Sequence, residues 1–105
     1  MNVYKPDRWV IVELTTPKET LQKVFAGWYG GFSSGDSWKL NSGIVASRNY
    51  KDMFEFDGYS GSMYRCNRHN YGMSAYMEGI MRGWTYSLKE GYSIRILELD
   101  EVVVS

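Results

Sequence analysis

Only one stretch of this chain sustains an unambiguous helical repeat, and that limits its fold more than any other feature. Met73, Met77, Ile80, Met81, Trp84 and Leu88 recur at three- and four-residue intervals, the apolar stripe of a helix packed on another layer. Ser74 offers an N-cap and Gly91 a stop, so a helix is expected over about 74–89. Ala75, Gly79 and Gly83 form a second stripe along the same stretch. Glycine inside a helix costs about 1 kcal/mol relative to alanine. The stripe therefore points to a backbone passing close by, either the sheet beneath or a second copy of the chain, with the sheet favoured.

The rest of the chain reads as strands. Residues 8–14, RWVIVEL, are β-branched and apolar, and Thr15, Thr16 and Pro17 break the run. Residues 18–28 are ambiguous: Leu21, Val24 and Phe25 have helical spacing, whereas Thr20, Gln22, Val24, Ala26 and Trp28 alternate. Ala26-Gly27-Trp28 is poor helix material, which favours a strand forming a hairpin with the first. A glycine- and serine-rich loop follows over 29–37. Residues 38–47 read as one strand, with Trp38, Leu40, Ile44 and Ala46 on one face and Lys39, Asn41 and Val45 on the other. After a turn over 49–52, the alternation of MFEFD at 53–57 places Phe54 and Phe56 inward and Glu55 and Asp57 outward. A turn over 58–61, a strand over 62–66 and a polar loop over 67–73 lead to the helix. Residues 92–99 and the valines at 102–104 supply one or two last strands.

This order predicts a single α+β domain over residues 1–105, an antiparallel sheet of about five to seven strands packed against one α-helix. A chain of 105 residues is too short for two domains.

Composition narrows the function classes. Twelve basic and twelve acidic side chains cancel, so the electrostatic footprint of a general nucleic-acid binder is missing. Cys66 is the only cysteine, which excludes an intramolecular disulfide and suits a reducing cytoplasm. No stretch reaches the roughly 18 apolar residues of a membrane span, and MNVYKPDRW has no signal-peptide core. A soluble cytoplasmic protein is expected.

Familiar catalytic patterns are weak. Cys66 and His69 have zinc-ligand spacing but no second ligand pair, and no third group orients them as a nucleophilic dyad. Glu55 and Asp57 share a strand face and read as its solvated side rather than as an acid/base pair. The glycine runs lack the strand-to-helix setting of a phosphate-binding loop. The chain is therefore read as non-enzymatic, with no cofactor and no metal.

Aromatic residues make up 16% of the chain, more than a small core can fully bury. They gather with polar residues in three stretches: Trp28 and Tyr29; Trp38, Lys39, Asn41 and Ser42; and Tyr59, Ser60, Ser62, Tyr64, Arg65, His69 and Tyr71. Flat rings stack on bases, cations pair with phosphates, and amides and hydroxyls read polar edges. Those residues are the candidate ligand-binding set, with Trp38 at the mouth and a nucleotide-like small molecule as the ligand. The alternative partner is a host protein that meets the exposed rings. Self-association as a homo-oligomer is expected from the ring excess and the small-residue helix stripe.

GWYGGF, DSWKLNSGI, GYSGSMYRC and YGMSAY resemble segments of small proteins encoded by tailed bacteriophages, over roughly residues 24–84. The resemblance implies a setting, the cytoplasm of an infected bacterium, and assigns no mechanism. Phage accessory proteins of this size commonly disarm host defence, some by binding a host enzyme and some by sequestering nucleotide signals. By that analogy the expected function is anti-defence sequestration of a nucleotide-like immune signal, with inhibition of a host defence enzyme as the alternative.

Overall fold

The computed structural model describes residues 1–30 and 35–102. Eight strands are present among them: β1 (Val3–Tyr4), β2 (Arg8–Thr15), β3 (Thr20–Trp28), β4 (Ser37–Leu40), β5 (Ile44–Asn49), β6 (Met53–Gly58), β7 (Met63–Asn67) and β8 (Ser93–Ile96). They divide into two four-stranded sheets, ordered β1-β7-β6-β5 and β4-β3-β2-β8. Pairing is antiparallel except where β1 runs parallel to β7. Helix α1 (Ala75–Tyr86) is the one α-helix among the described residues. The α+β class with a single helix is therefore observed, and the strands form two layers rather than one sheet.

The layering follows from side-chain alternation. Along β2, Trp9 and Ile11 point one way and Val10 and Val12 the other. The first pair joins Val24 and Ala26 of β3 against Phe54, Phe56, Tyr64 and Cys66 of the other sheet. The second pair joins Phe25 against Met77 and Met81 of α1. The β2–β3 hairpin is thus the middle layer, apolar on both faces, which is why RWVIVEL shows no clean alternation. β6 lies in an outer layer and keeps the alternation, with Phe54 and Phe56 inward as expected.

Helix α1 begins where the sequence places it. The Ser74 side chain caps it by accepting the Met77 N–H at 3.2 Å. It ends at Tyr86, earlier than the expected Lys89. The sheet does not lie against the glycine stripe, contrary to expectation: Gly79 and Gly83 are exposed, and no backbone among the described residues approaches either. Close approach occurs from the sheet side, where a side chain at Gly27 would collide with the sulfur and Cγ of Met77.

The stretch 38–47 is two strands and not one. β4 pairs with β3, and β5 pairs with β6 in the opposite sheet. Between them Asn41 N donates to Val24 O at 3.0 Å while the Asn41 side chain accepts from Val24 N at 2.8 Å. Both polar groups of Val24 are thus used, which ends the β4 pairing. Gly43, at φ +137°, turns the chain across to the other sheet. At the C-terminus, residues 99–101 form a 3-10 turn and Val102 caps it, so no strand begins there. Val103 and Val104 lie outside the described residues.

Candidate functional site

The crossover between the sheets places polar side chains around a cavity of about 290 Å³. Its walls are Lys39, Leu40, Asn41 and Ser42 from the crossing strand, Ser60 and Ser62 from the β6–β7 turn, and Tyr4 and Tyr64 from β1 and β7. Six of the expected ligand residues meet here: Lys39, Asn41, Ser42, Ser60, Ser62 and Tyr64. Tyr4 joins them. Its one sequence signal was aromaticity, and only the parallel pairing of Tyr4 with Tyr64 brings it to the site.

The donors are arranged unevenly. Asn41 is buried, and its Oδ1 is fixed by the Val24 N–H, so its Nδ2 must face the other way. That Nδ2 has no hydrogen-bond partner among the described residues. An unpaired buried amide N–H costs about 1–3 kcal/mol, and this one lies against Gly58. Ser42 Oγ accepts the Ser60 N–H at 2.9 Å and lies 3.2 Å from Ser60 Oγ, tying the crossover to the turn. Lys39 holds its ammonium 5.1 Å above the Tyr4 ring, a cation–π contact. Among the cavity's walls Lys39 is the one charged group, so the local field favours an anion. Burial, with smaller effects of Tyr4 and Cys66, pushes the Tyr64 phenol up to about 12, so it stays neutral at physiological pH.

The other expected residues lie elsewhere. Trp38 faces the helix side, 6.0 Å from the Phe25 ring and 5.3 Å from Trp84, and not the mouth of the cavity. Trp28 is half-buried, with its indole donating to Lys5 O at 3.0 Å. Tyr29 and Tyr59 are exposed and do not line the cavity. His69 sits on the surface 3.4 Å from Asp52, while the Cys66 thiol points into the core, where burial raises its pKa.

Tyr71 has a structural position. Its hydroxyl donates to Leu97 O at 2.6 Å and accepts from Ile11 N at 3.1 Å, replacing the ladder rung where the chain leaves β2 after β8. Tyr71→Phe would leave both backbone groups unpaired. It should lower stability by about 2 kcal/mol, read as a shift in the urea midpoint. A midpoint within error of the parent would show that water replaces the hydroxyl.

Arg65 is on the outer face of the β1-β7-β6-β5 sheet. Its Nε pairs with Glu55 at 2.9 Å, and Arg48 pairs with both Glu55 at 3.0 Å and Asp57 at 2.8 Å. Tyr50 adds its hydroxyl to Glu55 at 3.2 Å. The face expected to be bare and solvated is thus a charge network, and Glu55 is only 7% exposed. Hydrogen bonding from Arg48 holds the Glu55 and Asp57 carboxyls below their ordinary values, with Arg65 contributing at Glu55. Such depressed groups contribute stability that is complete above the unfolded values of 4.5 and 3.8 and is lost as pH falls through the folded ones. The gap in urea midpoint between pH 7 and pH 3 should therefore narrow in Arg48→Met. An unchanged gap would remove this network from the acid response.

Comparison with known proteins finds no matching family model, no matching curated protein and no matching solved structure. No helix among the described residues is long and apolar enough to cross a membrane.

Proposed function

We propose that the protein is a non-enzymatic binder of a small nucleotide-like ligand, held in the cavity between Tyr4, Lys39, Asn41 and Tyr64. The observation that carries this reading is the cavity wall that Lys39, Asn41 and three serines form together at the crossover. That set offers a cation and several donors to an oxyanion or a base edge, and the partly exposed Tyr4 ring to a flat group. A volume near 290 Å³ lies at the small end of ligand sites, suited to a single nucleotide rather than a strand. The setting proposed with it, capture of a host immune nucleotide in the cytoplasm of an infected cell, rests on the resemblance of these segments to small tailed-phage proteins and on analogy of size.

The test is a thermal-shift panel of cyclic and linear nucleotides on the purified chain. One ligand at about 100 times its dissociation constant should add about 2.7 kcal/mol to stability by mass action. Lys39→Gln, a change at an exposed residue, should weaken binding about tenfold without moving the unliganded melt. No shift with any nucleotide would refute the proposal. A nucleotide returned chemically altered would make the protein an enzyme instead. The exposed Tyr29 and Tyr59 favour the second reading, a protein inhibitor docking through its rings. A nucleotide-independent complex with a purified host defence enzyme, lost in Tyr59→Ala, would support it.

A further inference from the structure

The outer face of the β1-β7-β6-β5 sheet carries a second cavity, of about 620 Å³, that shares no residue with the first. Lys5, Lys51 and Arg65 line it together with Asp52, Asn67, Asn70 and Tyr50. Three cations therefore face one carboxylate in a chain whose total charge is zero.

Two of these cations are unneutralised. Among the described residues neither Lys5 nor Lys51 meets a carboxylate at ion-pair distance. Among the described residues Arg65 is engaged only through Nε, by Glu55, so both terminal nitrogens remain as a planar fork. Glu55 is itself held by Arg48 and Tyr50, which fixes the fork before any ligand arrives. The opposite wall is also fixed. Arg68 donates to Lys51 O at 3.2 Å, Tyr50 O at 3.0 Å and the Asn49 side chain, and it rests on the Phe54 ring at 4.2 Å. The Arg68 backbone N–H also donates to Asp52 O at 2.9 Å. Arg68 thus pins the 50–52 turn and is not among the residues that line the cleft.

We propose that this cleft is a second binding site, for a small phosphomonoester that also carries hydroxyls, such as a sugar phosphate. The guanidinium fork and two ammonium groups match a dianionic oxyanion, since Arg binds phosphate through two parallel N–H donors and Lys as a point charge. Asn67 accepts the His69 N–H through Oδ1, which leaves its Nδ2 as a donor. Asp52 gives the acceptor that ligand hydroxyls require. An uncharged polyol would leave the cations unmatched, and a polyanion would meet the Asp52 and Glu55 carboxylates.

The test is a titration of the full chain with ribose 5-phosphate, followed by amide and Arg Nε–H NMR shifts, with ribose and inorganic phosphate in parallel. Saturable shifts are expected at Lys51, Asp52, Asn67, Asn70 and the Arg65 side chain, weaker with inorganic phosphate and missing with ribose. Arg65→Gln and Lys51→Gln should each weaken binding about tenfold. The Lys51 side chain is exposed and meets no carboxylate among the described residues, so its variant answers the question even if Arg65→Gln unsettles Glu55. Lys39→Gln should leave the shifts untouched, separating this cleft from the crossover cavity. No saturable shift with ribose 5-phosphate would overturn the proposal, as would equal shifts with ribose or full affinity in Lys51→Gln.

Discussion

Trp9→Ala should remove about 4 kcal/mol of stability, the largest loss expected from any single change in this domain. Trp9 is fully buried between the two sheets. Its ring lies 5.7 Å from Phe54, 5.6 Å from Phe56 and 4.7 Å from Tyr71, so both β6 and the segment before α1 pack on one side chain. The indole also donates to Asn67 O at 2.7 Å, and truncation leaves that carbonyl without its partner. Domains of this size hold only about 5–15 kcal/mol in total, so the variant should melt far lower or fail to fold. Trp9→Phe keeps most of the packing and should recover more than half of the loss. Calorimetry on both variants decides it. Equal melts for Trp9→Ala and the parent would mean that the sheets do not pack through this residue.

Gly27→Val should cost about 3 kcal/mol, because overpacking at a closed interface forces off-rotamer side chains or moves the helix. The new methyl groups would occupy the space of the Met77 sulfur and Cγ. Methionine is flexible, yet Met77 is fully buried in the cluster of Val10, Val12, Phe25 and Met81, so its side chain can yield only by displacing close-packed neighbours. The sharper test is a double-mutant cycle. In a Met77→Ala background the same Gly27→Val change should be near neutral or stabilising, since it refills the vacated space and valine favours a strand. Additive costs would place Met77 away from Gly27.

The sequence showed much of this fold because its periodicities are local. Phe54 and Phe56 alternate with charged neighbours, and Ser74 precedes an apolar stripe, so β6 and the start of α1 were legible. The two-layer division of the strands was harder to see. Its one signal was RWVIVEL, where the absence of alternation marks a strand buried on both faces. The split of 38–47 was hidden because both strands are apolar in the expected phase. The break depends on Asn41 bonding to Val24, a partner seventeen residues away. The candidate residues divided by the same logic. Those beside the crossover came together, while Trp38, Tyr71 and Arg65 are placed by packing and pairing that no local pattern encodes. Tyr4 and Lys5 carry no local signal, because a two-residue strand, paired in parallel at a sheet edge, leaves almost no trace in sequence.

The Asn41–Gly43 crossover has a mechanical consequence. It is a seam where one strand leaves its sheet for the other, and Ser42 stitches it to the β6–β7 turn. A molecule lodged there would bridge both layers at once and act as a rivet across the sandwich. Occupancy would then register as slower opening of the entire domain, visible as hydrogen-exchange protection spreading to Val24 and Phe56 as well as to the amides that touch the ligand.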